Sequence, residues 1–175
     1  MTATALPRPA AGEYAPHYAG YVAAVADGDI RETLDQQLAD LLALGMSLDE
    51  ARGDHAYAAG KWTIKEVLAH IIDAERIFAY RALRVARGDQ TPLAPFDENA
   101  YAPESLAGQR TIPDLMEEFG HVRRATIALL RPLSAEIGER RGIASGQPVT
   151  VRALAWIIAG HAAHHLRILR ERYLS

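Results

Sequence analysis

The chain predicts an all-α fold, specifically a four-helix bundle, on three observations. Apolar residues recur at helical spacing in four long segments, two of these segments open on strong N-terminal caps, and no segment alternates with period two. The 175 residues are enough for one domain with a sizeable hydrophobic core.

Residues 1–15 read as an extended arm punctuated by Pro7 and Pro9, and residues 16–175 as a single bundle domain. A short helical stretch is expected over residues 17–26. The first long helix is expected over residues 29–46, with Ile30, Leu34, Leu38, Leu41 and Leu42 on one face. The second opens on a capping box, Thr63-Ile64-Lys65-Glu66, and stops at Gly88. Residues 90–110 form a long proline-bearing loop, of the kind that carries function in compact domains. The third helix starts at Thr111, tolerates Pro113 in its first turn and ends before Pro132. Residues 134–148 read as a glycine-rich loop, and the last helix runs from Thr150 to near Tyr173. The two long connections permit a crossover between helices.

Composition narrows the function. A net charge of −3 and a pI near 6.2 give no basic footprint for nucleic acid. No apolar run is long enough to span a membrane. The absence of cysteine excludes disulfides, thiolate ligands and a cysteine nucleophile. Residues 1–12 lack the charged and apolar regions of a signal peptide, so a cytoplasmic location is expected.

The residues with most to say are histidines. In Gly160-His161-Ala162-Ala163-His164-His165, the first and last histidines are one turn apart on a helix, about 6 Å along its axis. Both interrupt the apolar stripe Leu154, Ile157, Ile158, Ile168 and Leu169, whereas His164 falls in line with Gly160 and Arg167. Two imidazoles on a core face are costly without strong partners, and a divalent metal is one such partner. Zincin peptidases use the same spacing, but with Glu after the first His. Here that position is Ala162, which argues against a peptidase. His70, in the middle of the second helix, is the best third ligand. His121 competes but sits among acidic positions and reads as a surface residue.

Several segments also resemble one family. Trp62-Thr63-Ile64-Lys65-Glu66 followed by His70-Ile71 is similar to the opening of the second helix in DinB-like proteins, and His161 with His165 to the histidine pair of their last helix. Pro95-Phe96-Asp97-Glu98-Asn99-Ala100-Tyr101, and the arm segment Gly12-Glu13-Tyr14-Ala15-Pro16, resemble the YfiT-type branch, proposed as metal-dependent hydrolases. The resemblance implies down-up-up-down connectivity and one divalent ion on His70, His161 and His165, with zinc or nickel expected from imidazole preference. It implies hydrolysis of a small molecule, or alternatively thiol-dependent transfer or isomerisation; a non-enzymatic helical metal-binding module is the remaining reading.

Asp73, one turn past His70, is the first choice for a base, and Asp97 in the long loop the second; Glu98 and Asn99 read as turn chemistry. Arg76, Arg81 and Arg84 have the charge to bind an anionic substrate, but as exposed helix charges they read as a solvated face. Trp62 is expected to staple the second helix, and Trp156 to meet a helical neighbour or a partner subunit. The second helix is apolar on more than one line (Ile64, Val67, Leu68, Ile71, Ile72, Ile77, Phe78), which predicts a homodimer.

Overall fold

Each long helix begins on a side chain that caps it, as the computed structural model shows for residues 6–174. Residues 1–5 of the expected arm lie outside the described residues. The elements, in chain order, are α1 (Ala19–Ala23), α2 (Ile30–Ser47), α3 (Ile64–Ala86), α4 (Glu98–Glu104), α5 (Ile112–Leu130), α6 (Ala135–Gly138), β1 (Arg141–Ala144), β2 (Gln147–Thr150) and α7 (Val151–Ile168). A π-helical turn, Leu169–Tyr173, extends α7. Asp29 accepts from the Arg31 amide, Thr111 from Asp114 and Thr150 from Ala153. Thr63 and Glu66 form the reciprocal capping box, with Thr63 N donating to Glu66 Oε2 at 2.7 Å.

Contacts between the long helices fix their directions. Gly45 of α2 packs on Met116 of α5, while Arg123 of α5 reaches Leu34 and Gln37, so α2 and α5 run antiparallel. Leu68, Ile71 and Ile72 of α3 meet Met116 and Phe119, and Glu75 meets Arg123, so α3 and α5 run parallel. His70 lies by His165 and Phe78 by His161, so α7 runs against α3. The order is down-up-up-down, with α2 diagonal to α3. A parallel α3–α5 pair forces the connection to travel back along the bundle, which accounts for the length of residues 87–111.

That connection is more ordered than a loop. It carries α4, capped by Asp97, and a 3-10 turn, Ala107–Gln109. The glycine-rich segment before α7 is not a loop either. It folds into α6 and an antiparallel hairpin pairing Arg141 with Thr150 and Ala144 with Gln147. Four-residue strands are too short to display alternation. Their turn residues, Ser145 (φ 52) and Gly146 (φ +74), form a two-residue hairpin turn with both φ positive. Leu93 of the crossing connection bridges to this hairpin, its N–H donating to the Ile143 carbonyl at 2.9 Å.

A polar hub ties the four long helices together. The Arg123 guanidinium, fully buried, grips the Glu75 carboxylate at 2.8 Å. It also donates to the Leu34 carbonyl and to Gln37 Oε1, and Gln37 Nε2 donates to the Ala159 carbonyl at 2.8 Å. One charged network thus carries a contact from each of α5, α3, α2 and α7.

Residues 6–15 are docked on the bundle. Leu6 is fully buried, and its carbonyl accepts the indole N–H of Trp156, which meets this segment within its own chain. Glu13 receives a bidentate grip from Arg152 (2.6 and 2.7 Å), with Thr150 Oγ1 donating at 2.8 Å. The Arg152 hydrogen bonds hold the Glu13 carboxyl at about 2, below its ordinary 4.5. A lowered folded value means the unfolded chain binds the proton first. The stabilisation is therefore complete above 4.5 and is lost as pH falls toward about 2. Thermal melts of wild type and Glu13→Gln should differ most near neutral pH and converge through that window. A difference independent of pH would contradict this.

The broad apolar face of α3 is covered within the chain: Ile64, Val67, Leu68, Ile71, Ile72 and Phe78 are all buried. Its arginines do not form one solvated face. Arg76 and Arg84 pair at the rim with Glu118 and Asp89, but Arg81 is buried under the crossing connection, donating to the Ala94 carbonyl at 2.8 Å and to Ser145 Oγ at 3.0 Å. No helix among the described residues is long and apolar enough to cross a membrane.

Candidate metal centre

Antiparallel packing of α7 on α3 brings the histidine pair against His70. One donor atom from each of His70, His161 and His165 falls within 4.8 Å of the others, and the Nε2 atoms of His70 and His161 are 2.9 Å apart. The ring centroids are 4.5–4.8 Å apart. His161 and His165 are buried and His70 is half-buried beside Trp62, with ring centroids 4.7 Å apart.

Burial disfavours the imidazolium form of all three. Desolvation lowers His70 to about 4, against a smaller upward pull from Glu98, and lowers His165 to about 3. It holds His161 well below its ordinary value, with His165 and His70 adding to the effect. His165 Nδ1 is buried with no hydrogen-bond partner among the described residues. Three neutral imidazoles, with a buried nitrogen left unsatisfied, fit a divalent cation better than they fit one another.

A glycine sets the wall of this site. A Cβ on Gly160 would lie 2.0 Å from the Tyr21 carbonyl oxygen, so the backbone of α1 seats on α7 only because position 160 has no side chain. Tyr21 then lies edge-on to His161 at 5.4 Å and tilted against His164 at 5.3 Å.

The cluster opens on two sides. A cavity of about 460 Å³ is lined by His70, His161, Tyr18, Tyr21, Phe78, Phe96 and Glu98. A second, of about 250 Å³, is lined by His165, Trp62, Tyr57, Lys61 and Asn99. The N-terminus of α4 stands between them, Glu98 on one side and Asn99 on the other.

The remaining sequence candidates sort by position. His164 is half-buried and outside the cluster, and His121 is exposed. Glu66 is engaged in its cap. Asp97 caps α4 by accepting from the Asn99 and Ala100 amides. Asp73 keeps company with Arg76 (3.9 Å), Glu118 and Arg110, and burial raises its carboxyl. Three residues past His70 is a rotation of about 300°, which turns Asp73 toward α5. Ala74 and Phe78, at four and eight residues, follow His70 into the larger cavity. Glu98, read from sequence as turn chemistry, is the carboxylate lining that cavity. Tyr101, on the same short helix, is half-exposed and stacks toward Phe96. Tyr21 and Ser145 carried no sequence signal as cavity residues. They reach the site through a glycine contact and a hairpin turn.

Comparison with known proteins finds relatives in both sequence and fold. A sequence model described as the DinB superfamily matches residues 33–169. A Bacillus pumilus protein whose name proposes a metal-dependent hydrolase is 27% identical over 134 residues, 74% of each chain. A similarly named Oceanobacillus iheyensis protein is 28% identical over 124 residues, 69% of this chain and 70% of its own. The fold is that of YfiT from Bacillus subtilis, described as a four-helix bundle of unusual topology and proposed as a metal-dependent hydrolase. The match has a TM-score of 0.71 at 20% identity and covers 92% of each chain.

Proposed function

This chain belongs to the DinB superfamily, and from that premise we propose that it is a metal-dependent hydrolase of small molecules, with His70, His161 and His165 holding one divalent ion. The carrying observation is the convergence of three neutral imidazoles, two buried and one half-buried, on one point beside a cavity. Imidazole donors favour zinc or nickel. Bound there, the ion supplies Lewis-acid chemistry, acidifying water and polarising a carbonyl.

The chain supplies the rest. Tyr18, Tyr21, Phe78 and Phe96 give the cavity a largely aromatic wall. Glu98 is the carboxylate placed to accept a proton at its Oε atoms, a role Asp73 would have to fill from the α5 side of the helix. With Ala162 in place of the zincin Glu, no general peptidase activity is expected. A panel of esters and amides, offered to metal-loaded protein, tests the reading. Glu98→Gln should lower kcat at least about tenfold with metal retained, while Asp73→Asn should not. Full turnover after chelation would overturn it.

The second cavity favours one other reading, a transferase that takes an acceptor on the His70 side and a low-molecular-weight thiol on the His165 side. Turnover that requires added thiol would select it.

Homodimerisation would use what α3 leaves uncovered. Tyr80 and Leu83 line a groove with Val122, Ala125 and Leu129 of α5. Light scattering at tens of micromolar should report a dimer, and a monomer alone would remove this assembly. A cytoplasmic setting suits such an enzyme.

A further inference from the structure

Arg81 is a buried guanidinium without a counterion. It is 2% exposed, and no carboxylate among the described residues lies within salt-bridge distance. Its hydrogen-bond partners are neutral: the Ala94 carbonyl and Ser145 Oγ. Arginine cannot shed its proton to escape desolvation, as a buried lysine can. A buried charge left in this condition is costly, and an anion is the group that relieves it. The other buried guanidinium, Arg123, shows the contrast, because Glu75 neutralises it.

The surroundings suit an incoming anion. Arg81 lines a cavity of about 290 Å³ with Arg84, Tyr80, Thr91 and Phe96, and no acidic side chain is among its walls. Phe78 and Phe96 lie 5.9 and 5.8 Å from the guanidinium carbon, which holds the fork in place. Ser145 keeps a left-handed backbone, uncommon for a residue with a side chain, and its hydroxyl meets both Arg81 and the cavity of the histidines. The two cavities share Pro95 and Phe96 as a common wall. Eleven residues of α3 separate His70 from Arg81, about 16 Å of helix, and the arginine side chain leans back toward the helix N-terminus. A molecule of metabolite size spans what remains.

We propose that Arg81 is the anchor for an oxyanion, a carboxylate or phosphate monoester, at the end of the substrate remote from the three histidines. The proposal rests on the hydrolase reading only for where the substrate's other end lies. Oxyanion capture itself needs no metal.

The test is calorimetric titration of the full chain, in the presence of chelator, with phenylacetate, phenyl phosphate and the neutral phenylacetamide. At least one anion should bind about tenfold or more tighter than the amide, with affinity falling as salt rises, and the better anion identifies the class. Arg81→Gln should abolish the preference, and Arg84→Gln should retain it. Equal binding of anions and amide by wild type would overturn the proposal whether or not the Arg81 variant folds. So would loss of the preference in Arg84→Gln with retention in Arg81→Gln. Because the titration is run without metal, failure of the hydrolase reading leaves its outcome intact.

Discussion

Glu75→Ala should destabilise the protein by about 3–5 kcal/mol, because it strands the Arg123 charge in the middle of the bundle. Arg123 is wholly buried, and Glu75 is its only carboxylate partner among the described residues. The Leu34 carbonyl and the Gln37 amide oxygen accept further hydrogen bonds from the guanidinium but cannot neutralise it. In a chain of this size the loss corresponds to a fall in Tm on the order of 10 °C. Removing both charges should cost much less than removing one. Glu75→Leu with Arg123→Met leaves an apolar pair of similar bulk, and buried pairs replaced in this way are often near neutral. Thermal or denaturant melts of the two single variants and the double variant complete the cycle. A single-variant loss below about 1 kcal/mol would mean that water reaches the hub.

His161→Ala should remove bound metal, whereas His164→Ala, one turn position away, should leave it. The Nε2 of His161 lies 2.9 Å from that of His70, and its ring centroid lies 4.5 Å from that of His165. Two imidazoles on adjacent helices make a weak site, and chelate affinity falls steeply with the third. His164 is turned toward Tyr21 and is half-buried outside the cluster. Elemental analysis of protein purified without a nickel column reads the outcome directly. Chelation should also lower the Tm of wild type and of His164→Ala, but not that of His161→Ala, because only metal-binding chains gain stability from the ion. Equal metal content in wild type and His161→Ala would defeat the assignment.

Three of the long helices were legible in sequence because their start signals are local: Thr63 with Glu66, Thr111 and Thr150 each cap the helix they precede, while α2 was read from its apolar face and its cap, Asp29, from the structure. The inward histidines were legible because one stripe of α7 shows them directly. What escaped was tertiary. The β1–β2 hairpin is four residues a side, and its signal was the dipeptide Ser145-Gly146 rather than any alternation. Arg81 reads as a surface charge until the crossing connection is laid over it. Glu98 and Asp97 are neighbours of like chemistry, and only the start of α4 decides which one caps and which one faces the cavity. The width of the apolar face on α3 was real, but its partners are α5 and α7 of the same chain.

The diagonal placement of α2 and α3 also bears on the order of events as the chain is made. Consecutive long helices that packed side by side could form a hairpin as they emerged from the ribosome. Here α2 must wait for α5, and α3 has its second wall only when α7 arrives. His70 is synthesised 91 residues before His161. At about 5–20 residues per second, the first histidine is exposed for several seconds before its partners exist. No nascent fragment ending before α7 carries all three histidines, so an ion held by them would be captured only once α7 has docked.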